Sequence, residues 1–314
     1  MASLKEIKGR IQSVKSTLKI TSAMKMVASA KLHKAQLAIG NMLPYQGRLQ
    51  GMLADLAGAG AAIEGGEGGA PSLTRSRKAG KVAIVAFSSN SSLCGAFNSN
   101  IVKETLSLIG EYRSSGLGED DFTFFLVGKK VSEALRKHGY LSEADYSAMA
   151  ESPDYGKSAA LAQELMDGFL SGRFDRVELV YNHFKSTSSQ VVTRSTCLPL
   201  TLASGADCLR PVRTAATEPS VEAATSHPHD PEDVIVEPSR EELLRMLLPK
   251  VVKLRIYTAL LDSNAAEHAA RTVAMQTATD NGNDLLQELT LEYNKGRQQK
   301  ITSEILDIVG GSLQ

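Results

Sequence analysis

Between Pro238 and the pair Gly310-Gly311 lie about 70 residues with helix signals throughout and only Pro249, Gly282 and Gly296 as weak points. The stretch opens with Ser239-Arg240-Glu241-Glu242, a capping box whose hydroxyl and carboxylate satisfy orphan amide donors, and the glycine pair supplies a stop. As one helix it would span roughly 105 Å, more than a compact domain can enclose. Its apolar positions recur at spacings of four and three: Leu247, Val251, Leu254 and Leu261, then Leu286, Leu289, Tyr293, Ile301, Ile305 and Ile308. A lone helix of this kind would leave its stripe in water, so its helicity needs a second stripe to pack against.

The other end of the chain supplies one. Ser3-Leu4-Lys5-Glu6 is again a capping box, followed by Ile7, Ile11, Val14, Leu18 and Thr21, and by Met24, Val27, Leu32, Ala35, Ile39 and Met42 on a slightly drifting stripe. This predicts a helix of about 40 residues, kinked or stopped at Pro44. Two such helices at opposite ends of one chain can lie antiparallel in a coiled coil. The C-terminal helix is the longer, so residues near Ile301 to Leu313 should protrude and need a cavity outside the chain.

Two segments punctuate the region between. Gly58 to Pro71 holds six glycines among small residues, and Ala203 to Pro238 holds half of the ten prolines; neither favours regular structure. The expected organisation is an N-terminal coiled-coil helix at 1–57, a Gly-rich linker at 58–80, an α/β domain at 81–202, a Pro-rich loop at 203–238 and a C-terminal coiled-coil helix at 239–314. Within 81–202, buried-strand runs at 81–87, 122–127 and 177–182 alternate with helical patterns at 101–112, 129–137 and 158–170. Gln190 to Leu198 adds an alternating strand. The fold class is therefore α/β: a long antiparallel coiled coil of the terminal helices plus a small doubly wound domain.

A net charge of zero hides a polarised chain. Residues 1–50 carry nine basic groups against Glu6 alone, a net +8 that calls for an anionic partner. Because the segment is lysine-dominated and runs unbroken into a longer helical pattern, it is read as mature structure and not as a transit peptide. Lysines and arginines interrupt every apolar run, which excludes a membrane-spanning helix. Three cysteines, Cys94, Cys197 and Cys208, with no CxxC pair, build no disulfide framework, and a reducing cytosol is the default compartment.

Few residues suggest catalysis. The turn Ser88 to Gly95 after the first strand stands where a doubly wound fold would hold a phosphate, but it has neither GxGxxG nor GxxxxGK[ST]. Cys94 with His138 or His183 would make a cysteine hydrolase, yet a small buried thiol under a turn is the simpler reading. His227 and His229 are two apart in the Pro-rich loop without further ligands nearby. Glu267 and Arg271 read as an i,i+4 pair on a solvated face. Arg297-Gln298-Gln299-Lys300 stands just before the apolar tip, where directional polar groups would meet a partner. No cofactor or metal is expected. An arm for nucleic acid or an anionic membrane is the second use of the cationic helix, but it lacks interleaved aromatics and a large apolar face.

Lys5-Glu6-Ile7, Ile20 to Lys31 (ITSAMKMVASAK) and Lys34-Ala35-Gln36 resemble the opening of the γ subunit of F-type ATP synthase. So do Glu267 to Met275 (EHAARTVAM), Ala278 to Asn281, Leu291 to Asn294, Gly296-Arg297-Gln298, Ile301 to Glu304 and Ile308-Val309 near the far end. The family's Asp-Arg-Gly-Leu-Cys-Gly turn keeps Leu93-Cys94-Gly95 but has Asn90-Ser91-Ser92 before it, so no role of that arginine carries over. The resemblance implies a non-catalytic rotor subunit carrying torque from an ion-driven c-ring to the catalytic β subunits. Its implied partners are the α and β subunits, the ε (δ-type) subunit and the c-ring. The complex would hold it at the cytoplasmic face of a bacterial membrane, with no nucleic acid involved. By the same resemblance, Arg297 and Gln298 would catch a β-subunit loop, and Met24, Lys25 and Lys31 would lie near an acidic lever of β. Ile301, Ile305, Ile308 and Val309 would form the bearing tip.

Overall fold

A computed structural model describes residues 3–58, 73–77, 80–200, 237 and 239–311. His227, His229, Cys208 and most of the Gly-rich and Pro-rich segments lie outside these residues. Ten elements follow in order: α1 (Leu4–Gly58), β1 (Val82–Phe87), α2 (Phe97–Ser114), β2 (Phe122–Val127), α3 (Lys129–Arg136), α4 (Ser147–Glu151), α5 (Tyr155–Leu170), β3 (Arg176–Phe184), β4 (Gln190–Leu198) and α6 (Arg240–Gly311). The chain divides into two units: residues 1–30 with 271–314, and residues 31–270.

In the first unit the ends of α1 and α6 form an antiparallel pair. Both helices begin where the sequence places a cap: the Glu6 amide donates to Ser3 Oγ at 3.2 Å, and the Glu242 amide to Ser239 Oγ at 3.3 Å. Three contacts fix the register. A Cβ on Gly296 would lie 3.2 Å from Leu4 Cδ2, one on Gly282 would lie 2.7 Å from Leu18 Cδ2, and the hydroxyls of Thr279 and Thr21 are 3.0 Å apart. In each pair the two residue numbers add to 300. The small residues that look like weak points in the sequence are the places where the helices approach most closely.

The buried or half-buried positions of α1 run 4, 7, 11, 14, 18, 21, 25 and 28, a strict three-four heptad with Met24 flanking it. The expected stripe is corrected at two points: Lys25 stands on the heptad with Met24 beside it, and Val27 is 57% exposed while Ala28 is the buried residue. With both changes the drift disappears. The same spacing continues into the second unit at 32, 35, 39, 42, 46, 49, 53 and 56. Pro44 does not stop the helix, which runs through it to Gly58. Only the bond to the carbonyl four residues back is lost, and Leu49, Leu53 and Leu56, all buried, hold the turns that follow.

The second unit is built on a four-stranded sheet of order β2-β1-β3-β4, with β1 parallel to β2 and β3, and β4 antiparallel to β3. Alternate residues of β1 serve two cores, because successive side chains point to opposite faces. Val82, Ile84 and Ala86 pack with Ile101, Leu108 and Ile109 of α2 and Val131 and Leu135 of α3. Ala83, Val85 and Phe87 pack with α4 and α5 and with the facing parts of α1 and α6. Covering both faces makes the sheet the doubly wound kind the alternation predicts. In α6, the stretch 251–270 is buried nearly all round. This overturns the solvated-face reading of Glu267 and Arg271, each only 8% exposed.

Candidate partner-binding surfaces

The register fixes where the paired coil ends. Leu4 meets Gly296, so among the described residues α6 beyond Gly296 has no α1 residue to pair with. From Arg297 to Val309 every residue whose side chain is described is exposed. Arg297 and Gln298 are therefore the first residues beyond the pairing, with their side chains in solvent. The Thr302 hydroxyl donates to the Gln298 backbone carbonyl at 2.9 Å, and Lys300 lies 3.7 Å from Glu304. Both interactions stay within α6 itself and use neither the Arg297 guanidinium nor the Gln298 side-chain amide.

The tip that follows is apolar and wet. Ile301, Ile305, Ile308 and Val309 are all exposed, Ile308 to 72%. Leu306, which the stripe does not require, is exposed as well. Its signal was present in the sequence as an apolar residue off the four-three spacing. On a free helix these side chains would be a liability, since contiguous exposed apolar surface marks an interface.

On α1, Met24 and Lys25 are half-buried, and Lys25 stands on the heptad seam itself. The register sets it level with Met275, and half burial suits a lysine, whose aliphatic stem can pack while its ammonium keeps to water. Ile20, Met26 and Val27 are exposed apolar neighbours that the seam does not use. Lys31, the first residue of the second unit, is exposed.

The turn after β1 is organised from within. Ser89 Oγ donates to the Ser91 carbonyl at 2.6 Å, and Asn98 Nδ2 donates to Ser89 Oγ at 2.8 Å and to Cys94 Sγ at 3.1 Å. Cys94 is buried beneath this network, as a packing thiol should be. Asn90, which stands where the family has Asp, donates from Nδ2 to the Ser147 carbonyl at 2.8 Å and accepts the Lys129 amide at 3.1 Å. It ties the turn to α3 and α4. His183, named as a possible base for Cys94, is held 2.6 Å from Asp262 through Nδ1. That hydrogen bond holds its pKa above the ordinary value and commits the imidazole to Asp262 as a strut. Burial pushes the Cys197 thiol up to about 11, which makes it inert.

Among the described residues no helix is long and apolar enough to cross a membrane, and no group of three or more His, Cys, Asp and Glu side chains could hold a metal ion.

A family model described as ATP synthase matches residues 3–313. The chain is 51% identical to the ATP synthase gamma chain of Phocaeicola vulgatus and 50% identical to that of Bacteroides thetaiotaomicron, covering 100% of both sequences in each case. Among solved structures it is similar to a chain of the Euglena gracilis mitochondrial ATP synthase OSCP/F1/c-ring assembly, with a TM-score of 0.61 at 19% identity over 99% of this chain and 93% of that one. It also resembles a chain of the Tetrahymena thermophila mitochondrial ATP synthase central stalk and c-ring, with a TM-score of 0.52 at 24% identity over 82% and 99%. With a family model matched over residues 3–313 and relatives half identical from end to end, this chain belongs to the ATP synthase gamma chain family.

Proposed function

We propose that this chain is the central rotor subunit of an ion-driven ATP synthase, transmitting torque from a c-ring to catalytic β subunits. It has no catalytic site of its own in this reading. Its partners are the α and β subunits around the coil and the ε (δ-type) subunit and c-ring at the α/β domain. These hold it peripherally at the cytoplasmic face of a bacterial membrane.

One observation carries the reading. Among the described residues the last paired level is Leu4 with Gly296, and α6 continues to Gly311 with its described side chains exposed and an apolar end. At 1.5 Å per residue this extension is about 22 Å long, a length suited to a sleeve formed by other subunits. The two terminal helices also pass from one unit to the other without a break, so a turn applied to one unit is carried covalently to the other. Rotation affects catalysis only if the shaft interacts differently with different β conformations. A single polypeptide without rotational symmetry meets that condition. Arg297 and Gln298 would hold a β loop directionally, and Met24, Lys25 and Lys31 would face its acidic lever, giving the +8 segment its anionic partner.

Co-expression with the α, β and ε subunits of the same organism tests the proposal. The chain should co-purify with an α/β hexamer at one copy per complex, and ending it after Gly296 should leave that complex weakly assembled or poorly coupled. Recovery of α/β hexamers that never retain the chain would overturn it.

A further inference from the structure

Within the unit spanning residues 31–270, a cavity of about 320 Å³ lies between α1, the β3–β4 pair and α6. Arg255 projects from α6 into its wall and is only 6% exposed. Its Nη2 donates to Ser195 Oγ at 2.5 Å, its Nε has no hydrogen-bond partner, and no ion pair among the described residues uses it. A buried guanidinium with one neutral acceptor is costly to maintain, because buried charges are otherwise paired.

The one carboxylate lining the cavity does not fill this need. Asp262 Oδ2 lies 2.6 Å from His183 Nδ1, and its Oδ1 accepts the Phe184 amide at 2.8 Å. Both oxygens are turned to β3. Burial pushes the Tyr181 hydroxyl up to about 12, so that group stays neutral in the wall. The remaining surface is largely apolar, supplied by Ile39, Leu179 and Ala259, with exposed Lys185 favouring the approach of anions. The volume is at the lower end of the range for small-molecule pockets.

We propose that this cavity binds a small monocarboxylate with an apolar body, its carboxylate on the Arg255 guanidinium and its body against Ile39, Leu179 and Ala259. A dianion such as phosphate suits the site less well, because Asp262 stands in the same wall. The inference does not depend on the rotor reading.

Titration of the full-length chain with acetate, butyrate, hexanoate and inorganic phosphate, followed at the arginine Nε–H resonances, tests it. Binding should tighten by about fourfold per added methylene until the cavity is full, with phosphate weakest. R255M should weaken hexanoate binding by tenfold or more. A259L, which fills the cavity and keeps the guanidinium, should do the same while circular dichroism stays unchanged, and it decides the matter if R255M does not fold. Equal affinity along the series, phosphate binding more tightly than hexanoate, or hexanoate bound undiminished by A259L would each overturn the proposal.

Discussion

At Gly282 an added methyl carbon would stand 2.7 Å from Leu18 Cδ2, inside any permitted contact. Gly282→Val should therefore destabilise the chain by about 1–3 kcal/mol through overpacking, read from urea unfolding midpoints. Adding Leu18→Ala should recover much of that loss, since residues in contact couple by roughly 0.5–3 kcal/mol; strictly additive effects would mean the two do not touch. The sequence marks Gly282 only as a helix breaker, because its reason for being glycine lies 264 positions away on the other strand. His183 offers a second test. Its pKa is raised above the ordinary value, chiefly by the hydrogen bond it makes to the Asp262 carboxylate and against its own burial and the charge of Lys185. The stabilisation is therefore complete below the unfolded value of about 6.5 and fades as pH rises through the folded value. His183→Gln should flatten that part of the stability profile, and a wild-type profile equally flat from pH 5.5 to 8.5 would remove the strut from the account.

At the scale of elements, the two long helices were legible because capping boxes, a four-three stripe and terminal glycines all agreed. The β1 to β4 strands were legible because short apolar runs alternated with helical ones. What the sequence misplaced has physical causes. Val27 outranks Ala28 in bulk, yet close packing selects the smaller residue, and Ala28 is 1% exposed. The five-residue α4 is too short to show a period at all. The all-round burial of α6 at 251–270 depends on its being covered from several directions, which no single-stripe pattern conveys. Among the candidate contacts, Arg297 and Gln298 were visible as polar residues ahead of an apolar tip, whereas Leu306 was passed over because it breaks the spacing. Arg297→Ala with Gln298→Ala should lower coupled ATP synthesis in the reconstituted complex about tenfold or more while leaving the chain's helix content unchanged. Unchanged synthesis would remove both residues from the contact.

For the molecule as a whole, charge makes a prediction that shape does not. Residues 1–50 hold a net +8 on a chain of zero net charge, so reversing Lys25 and Lys31 to Glu should weaken coupling in the assembled complex. Added salt should shrink the difference from wild type as screening grows; a defect that ignores ionic strength would argue for packing instead. The pairing by which partners' numbers add to 300 has a further result for how such a chain can change over generations. Losing or gaining one residue near Ser16 swings everything beyond it by about 100°, turning seam residues to the outside. Viable length variants should therefore come in whole sevens matched on both strands, leaving the glycine- and proline-rich stretches as the places where single insertions and deletions can accumulate.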